Sequence, residues 1–107
     1  QKNLRALVSP HLYGPDAWTV DPSAPLTGSY AAEGPSFLER DGSLFIYFDK
    51  YGEGAYGALE ATTTGALDSP AAWNDISDSV FFPGVRHGTP IEVPWEVFEA
   101  VATKAGE

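Results

Sequence analysis

The sequence predicts an all-β fold that ends in one short helix. Segments of strand length, rich in aromatic and β-branched residues, alternate with Gly, Pro and Asp turns along most of the chain. Hydrophobic residues make up 43% of the 107 residues and aromatic residues 13%, so a packed core is expected rather than disorder. Helical spacing of apolar residues occurs only near the C-terminal end. One domain is the simplest organisation.

Three stretches follow one another along the chain. Residues 1–29 are a turn-rich lead-in with four prolines and an early strand at Leu4–Val8. Residues 30–93 contain the remaining expected strands, and residues 94–105 contain the terminal helix. The middle stretch is therefore expected to form most of the sheet.

A β-hairpin opens the middle stretch. The segments "SFLE" and "LFIYF" are its strands, and "RDGS" supplies the Asp-Gly turn at its tip. The second strand is apolar on both faces, which favours a position between neighbouring sheets. The strands that continue this antiparallel meander are expected at Ala55–Thr62, Trp73–Ile76 and Val80–Phe82.

The last part of the chain changes from strand to helix. Val85–Val93 is expected to be a further strand, and Pro94 suits the first turn of a helix. The helix is expected over Trp95–Lys104, with Gly106 as its stop signal. Four apolar side chains share one face of it, which indicates a docked cap rather than a ligand site: Trp95, Phe98, Val101 and Ala102.

The charge balance argues against two classes of partner. Six Lys and Arg residues against fifteen Asp and Glu residues give a formal net charge of −9. Such a field repels nucleic-acid phosphates and anionic membrane surfaces, whereas a neutral sugar meets no such repulsion. We therefore expect a carbohydrate as a more suitable partner than nucleic acid or a membrane.

The cellular location is not determined by the residues. The chain has no cysteine, no apolar run of roughly the 20 residues that a spanning helix needs, and no signal-peptide core at its start. It is thus expected to be cytosolic or to have lost a targeting segment. Because it begins at Gln1 without Met, we expect a processed or trimmed chain. A secreted or extracellular protein is favoured over a cytoplasmic one.

An acidic residue interrupts the small and apolar run "YAAEGPSF" before the hairpin. Glu33 is followed by Gly34 and Pro35, which allow close approach of the backbone and restrict its geometry. From these residues alone, Glu33 is more readily a structural carboxylate that caps a turn than a catalytic group. A family resemblance reverses that preference.

The segments "AEGPSFLERDGSLFIYFDKYGEGAYGALEAT", "WNDIS" and "FFPGVRHGTPIEV" together resemble the second half of glycoside hydrolase family 43. These enzymes are five-bladed β-propellers that act on arabinosides and xylosides. The similar region runs from about Ala31 to Val93, more than half of the chain, and more loosely back to "LYGPDAW". The resemblance implies a partial β-propeller of about two antiparallel blades, since such repeats run ~40–45 residues, with the helix at its end.

The resemblance also implies a catalytic role for Glu33. In the family, the Glu of the Glu-Gly-Pro motif is the general acid of an inverting reaction on arabinofuranosyl or xylosyl linkages. We expect its small apolar surroundings to raise its pKa, as this role requires. The general base and an orienting Asp come from earlier blades in the family. The chain lacks those blades, and Asp16 and Asp21 match neither motif.

A partner is therefore expected to supply the missing blades, either as a second polypeptide or as a segment of a parent chain. On its own the chain is expected to be inactive. The resemblance implies no required cofactor, although calcium is the ion that related propellers hold on their axis. His87 is the best match to the histidine that helps to hold it, and a buried, hydrogen-bonded histidine is an equally good interpretation.

Two further residues are candidates for binding substrate. Arg86 matches the late-blade arginine that lines the sugar pocket in the family, with a structural salt bridge as its alternative. Tyr51 offers a ring for sugar stacking, with packing in the core as its alternative. For the chain as a whole, the rival to a glycosidase part is a non-catalytic carbohydrate-binding or structural β-module. A plain β-domain without sugar affinity is the third interpretation.

Overall fold

The computed structural model describes residues 2–9, 11, 13–14, 19–20, 25–80, 82 and 84–106, and in these it is mostly β. A four-stranded antiparallel sheet dominates, accompanied by a two-stranded ribbon and one C-terminal helix. The strands are β1 (Leu7–Val8), β2 (Thr19–Val20), β3 (Glu33–Arg40), β4 (Ser43–Lys50), β5 (Ala55–Thr62) and β6 (Asn74–Asp75), and the helix is α1 (Trp95–Ala105). The expectation of an all-β chain with a terminal helix is confirmed at this level.

The sheet is an open meander in the order β3-β4-β5-β6. The hairpin between β3 and β4 closes through Asp41 and Gly42, both with positive φ, as the Asp-Gly signal predicts. The strand predicted at Ala55–Thr62 has the same bounds in the structure. Among the described residues, strand β3 lies at one edge with only β4 beside it, and the two-residue β6 forms the other edge.

The core lies on one face of this sheet. Phe48 and Ile46 of β4 and Leu59 of β5 are almost completely buried there, together with Trp73 from the loop before β6. Phe48 lies parallel to the ring of Tyr30 at 6.0 Å between centroids. A side chain at Gly57 would begin 2.8 Å from the Phe48 ring, so glycine is needed at that position. From the lead-in, Leu4 belongs to this core and Leu26 packs against it.

The other face is covered only in part. Phe45 and Tyr47 of β4 are half-buried there, and Phe82 meets the Tyr47 ring edge-on at 6.1 Å. The prediction that β4 is enclosed on both faces is therefore correct for the core face and incomplete for this one. The segment from Gly84 onward runs over this second face and brings its side chains towards the start of β3.

The strand predicted at Val85–Val93 is wrong, because these residues form no strand. Gly84 and His87 adopt left-handed backbone angles, with φ of 71° and 47°, which interrupt an extended chain. Prolines at positions 90 and 94 also withhold the amide donors that a ladder requires. The apolar composition of this segment reflects its contact with the sheet rather than strand pairing.

Three other predicted strands are shorter than expected or missing. Leu4–Val8 is reduced to Leu7–Val8. Leu4 contacts the 26–27 region instead: its carbonyl accepts from the Leu26 amide, and its amide donates to the Thr27 hydroxyl. Trp73–Ile76 is reduced to the two residues of β6. Val80 and Phe82 are not in a strand, and Phe81, Asp16 and Asp21 lie outside the described residues.

Helix α1 has the predicted position and end. Pro94 precedes its first residue, and the Gly106 amide donates to the Ala102 carbonyl at its end. The prediction of a docked cap is wrong, because none of its residues is buried and Trp95, Phe98 and Val101 expose 65%, 51% and 64% of their surface. Trp95 and Phe98 pack instead on each other at 5.1 Å. In the described part of the chain, no helix has the length and apolar character needed to cross a membrane.

Candidate functional site

Glu33 is the first residue of β3 and lies opposite Asp49 of β4 in the ladder. The pairing register shifts between Glu33 and Ser36, which marks a bulge at the Gly-Pro step. Gly34 has φ of 62°, a conformation that its Cβ-free backbone adopts easily. This bend leaves the Glu33 carboxylate partly open to solvent, with 22% of its side chain exposed.

Two cations and an imidazole surround this carboxylate. The Lys2 ammonium lies 2.6 Å from Glu33 Oε2, and Arg86 Nη2 lies 3.9 Å from Oε1. His87 Nε2 is 3.4 Å from the same Oε1. Tyr51 joins the group through Lys2, because its hydroxyl accepts a hydrogen bond from the Lys2 backbone amide at 3.0 Å. The structure therefore brings all four residues singled out in the sequence, Glu33, Arg86, His87 and Tyr51, to one end of the sheet.

Asp49 is one of two members of this cluster that sequence reasoning missed. Its side chain is 1% exposed, and its Oδ2 accepts a hydrogen bond from Arg86 Nε at 2.8 Å. His87 Nε2 lies 3.6 Å from the same oxygen, while Oδ1 is buried without a hydrogen-bond partner among the described residues. The available signal was an acidic residue at the end of the apolar run "LFIYFD". Lys2, also missed, has no comparable signal.

The segment that carries Arg86 and His87 is held from both sides. His87 has φ of 47°, an uncommon conformation for a residue with a side chain. A Cβ on Gly34 would lie 2.6 Å from His87 Nδ1, so the imidazole occupies space that only glycine leaves open. On the other side, the Tyr56 hydroxyl is 3.1 Å from both the amide and the carbonyl of Gly88.

The protonation equilibrium of Glu33 differs from the one that the sequence predicts. The hydrogen bond from Lys2 is the main cause that lowers the pKa of Glu33 below its ordinary value, burial acts in the opposite direction, and His87 adds a smaller lowering effect. The expectation of a raised pKa at Glu33 is therefore wrong for this arrangement. The hydrogen bond that Arg86 donates to Asp49 raises the pKa of Arg86, so the guanidinium stays charged.

The donor atoms of Glu33, Asp49 and His87 lie within 4.8 Å of one another, close enough to surround a metal ion. Charge argues against calcium at this place. Lys2 and Arg86 already balance the two carboxylates. Calcium prefers six to eight oxygen ligands, whereas this cluster offers two carboxylates and one imidazole nitrogen. The cluster therefore does not fit a calcium ion as it is arranged.

A shallow cleft of about 360 Å³ lies beside this segment on the second face of the sheet. Aromatic side chains form much of its wall, namely Tyr47, Tyr56 and Phe82. Phe82 meets the Tyr56 ring edge-on at 5.7 Å and remains 44% exposed. An apolar wall next to convergent polar groups is a usual setting for a small neutral ligand.

The site thus joins a partly exposed carboxylate, a buried carboxylate and three basic side chains at one end of an open sheet. Because Lys2 and Arg86 neutralise Glu33 and Asp49, it is a locally balanced site in a chain of net charge −9. The chain was compared with protein-family models, curated proteins and solved structures, and it matches none of them.

Proposed function

We propose that this chain supplies the general acid of a glycoside hydrolase that cleaves arabinofuranosyl or xylosyl linkages by inversion. Glu33 is the proposed acid. The observation that carries the proposal is the convergence of Arg86 and His87 on a partly exposed Glu33 carboxylate, which the Gly34-Pro35 bend holds at the open end of the hairpin. The resemblance of these segments to glycoside hydrolase family 43 selects the reaction and the sugar class.

An acid in this position requires one change from the arrangement described. Lys2 keeps Glu33 ionised, whereas a general acid must carry a proton when the glycosidic oxygen departs. The Lys2 side chain is 72% exposed, so a sugar that enters the site can displace its ammonium. Loss of that ion pair together with burial by the sugar would both raise the pKa of Glu33.

Asp49 does not provide the second carboxylate of an inverting pair. Inverting enzymes hold their two carboxyl groups roughly 6.5–9.5 Å apart, with a water molecule between them. Oxygens of Asp49 and Glu33 lie within 4.8 Å, and the Asp49 side chain is too deeply buried to meet a sugar. The proposed base therefore belongs to a second polypeptide or to another segment of a parent chain, and calcium is not part of the proposal.

Arg86 and Tyr51 are the proposed substrate contacts. Asp49 accepts a hydrogen bond from Arg86 Nε–H, and 62% of the Arg86 side chain stays exposed. The outer N–H groups of the guanidinium are therefore available to sugar hydroxyls. Tyr51 lies next to the Lys2 ammonium, 5.8 Å from the centre of its ring. When Lys2 moves away, this ring becomes a surface for a sugar face.

The open edge of the sheet supports the need for further blades. In the part of the chain that the structure describes, strand β3 has one partner strand, and its Phe37 is 58% exposed although it pairs with the core residue Ile46. An unpaired edge with an apolar side chain on its core face is the kind of surface that another sheet covers. We propose that this surface meets the remaining blades of a β-propeller.

A second candidate function is a non-catalytic carbohydrate-binding module. The close Lys2–Glu33 ion pair favours it, because an ionised carboxylate paired with an ammonium accepts hydrogen bonds from sugar hydroxyls but cannot donate a proton. The same Arg86 and Tyr51 would then bind the sugar without turnover. The two candidates differ in what Glu33 does, not in what the site binds.

The test is a Glu33→Gln substitution. The variant is assayed in the assembled protein, which includes every polypeptide that native and denaturing mass spectrometry find with this chain. Hydrolysis is measured on aryl arabinofuranosides and xylosides with good and poor leaving groups. General acid catalysis is worth about 10²–10⁴-fold, and a leaving group of low pKa needs little of it. Glu39→Gln, at an exposed position on the same strand, is the control.

We expect the Glu33 variant to lose most turnover on poor leaving groups and to keep much of it on good ones. Equal turnover of both variants on all substrates would remove Glu33 from the mechanism. Sugar binding without any hydrolysis by the assembled protein would select the binding module. A flat titration with arabinose, xylose and their oligomers would reject both candidates.

A further inference from the structure

Two residues outside the proposed chemistry are bonded to the Arg86–Gly88 segment. Asp49 and Tyr56 face each other in register on β4 and β5, on the sheet face that the Arg86–Gly88 segment crosses. We infer that Asp49 and Tyr56 are positioning residues, which hold this segment at two points so that its guanidinium and imidazole meet at Glu33.

The first point of attachment is electrostatic. A buried carboxylate is costly unless a cation and hydrogen bonds compensate it, and Arg86 is the cation that reaches Asp49. The bond from Nε orients the guanidinium, because the group is planar and its donors have a fixed geometry. With Nε on Asp49, Nη2 lies 3.9 Å from the Glu33 carboxylate. Asp49 thus determines which part of Arg86 meets the site.

The second point is a hydrogen-bonded anchor for the backbone. The Tyr56 hydroxyl donates to the Gly88 carbonyl and accepts from the Gly88 amide, each at 3.1 Å. This anchor immediately follows His87, whose left-handed backbone is strained and persists only where its surroundings hold it. The Tyr56 residue itself is 8% exposed, so packing fixes the hydroxyl.

The two anchors act on different parts of the same segment. Asp49 acts on the Arg86 side chain, and Tyr56 acts on the backbone after His87. Asp49 is completely buried, and the Tyr56 hydroxyl is engaged with the Gly88 backbone, so both act on the segment rather than on the glycosidic bond. The catalytic consequence of this inference rests on the proposed function, but the positioning itself does not.

The experiment is nuclear magnetic resonance of the 107-residue chain with two variants and matched controls. Asp49→Asn keeps the shape and removes the charge, and Asp78→Asn removes a charge at an exposed position. Tyr56→Phe removes the anchoring hydroxyl, and Tyr47→Phe removes one on the same sheet face that is not bonded to Gly88. The signals followed are Arg86 Nε–H and the contacts between the His87 ring and the Gly34 α-protons.

We expect hydrogen exchange at Arg86 Nε to accelerate about tenfold or more in Asp49→Asn, the factor for loss of a hydrogen bond between charged groups. In Tyr56→Phe we expect the His87–Gly34 contacts to weaken while Arg86 Nε–H persists. Neither control is expected to change these signals. Tyr56→Phe leaves the buried charges paired, so it tests the inference even where Asp49→Asn unfolds.

An unchanged Arg86 signal in folded Asp49→Asn, or unchanged His87–Gly34 contacts in Tyr56→Phe, would overturn the inference. Adding xylose and arabinose oligomers to the wild-type chain separates this result from the proposed function. Absence of sugar-induced shifts at Arg86 counts against the proposed function alone, since the anchoring signals are read without sugar.

Discussion

The imidazole of His87 occupies the space in which a side chain at Gly34 would begin, with Nδ1 2.6 Å from the position of that Cβ. The glycine of the Glu-Gly-Pro step therefore has two effects. It allows the bend with φ of 62° that presents Glu33, and it admits the ring that lies against that carboxylate. The absence of a side chain at Gly34 thus allows the Arg86–Gly88 segment, distant in sequence, to pack against the start of strand β3.

Gly34→Ala is expected to displace His87 and to destabilise the fold. Gly54→Ala is the matched control, because Gly54 has nearly the same φ, 63°, with no atom within 4 Å of its Cβ position. Left-handed backbone alone costs about 1–2 kcal/mol for alanine, so both variants share that loss. Crowding adds about 1–3 kcal/mol at Gly34. Urea unfolding measures both, and equal losses would contradict the fit between Gly34 and His87.

Lys2→Gln is expected to raise the pKa of Glu33 towards its ordinary value of 4.5. The Lys2 hydrogen bond is the largest cause of the lowered pKa, and burial, which acts to raise it, remains in the variant. Carbon-13 titration of the Glu33 carboxyl measures the change. Lys104→Gln, on the terminal helix, is the control.

The same ion pair predicts a pH dependence of stability. Because the pKa of Glu33 is lowered in the folded chain, its contribution is fully present above the ordinary carboxyl pKa and is lost as pH falls through the lowered value. The Lys2→Gln variant is expected to lose less stability than wild type across that acidic interval. If the stability of both proteins fell equally with pH, Lys2 would not be the cause of the lowered pKa of Glu33.

Phe37→Lys is expected to weaken association of the isolated chain. The open edge of β3 and the 58% exposed Phe37 ring favour contact with another sheet, and an inward-facing lysine blocks such pairing. Burial of a phenylalanine ring is worth about 1.5–3 kcal/mol, or roughly a tenfold or larger change in dissociation constant. Sedimentation at several concentrations measures it.

Tyr13→Lys is the control for that measurement, since Tyr13 is 88% exposed and lies outside the four-stranded sheet. A wild-type chain that stays monomeric at every concentration would count against the open edge as a contact surface. If Phe37→Lys left association unchanged, the chains would associate through another surface, such as the exposed face of α1.

Local signals located the elements whose partners are close in sequence. The Asp41-Gly42 turn brings β3 and β4 together over two residues, so composition and turn chemistry were sufficient to predict the hairpin. The helix was predictable in the same way, from Pro94 at one end and Gly106 at the other. Whether that helix docks depends on surfaces distant in sequence, and the docking prediction was wrong.

The candidate site shows the same division. Glu33, Arg86, His87 and Tyr51 were selected from motif and resemblance, and the structure brings them to one end of the sheet. Asp49 was missed because it looks like the polar end of an apolar strand, and Lys2 because nothing marks it in the lead-in. Both belong to the site only through contacts with residues 31 or 37 positions away.

By itself, the sequence determined the all-β character, the hairpin, strand β5 and the terminal helix, because alternation, turn residues and caps act over a few neighbouring residues. Only the tertiary structure decided that Val85–Val93 is not a strand, that α1 lies exposed, and that Glu33 is ionised beside Lys2. Those outcomes depend on burial and on charges brought together across the fold. The distances between residues far apart in the sequence cannot be read from the order of residues alone.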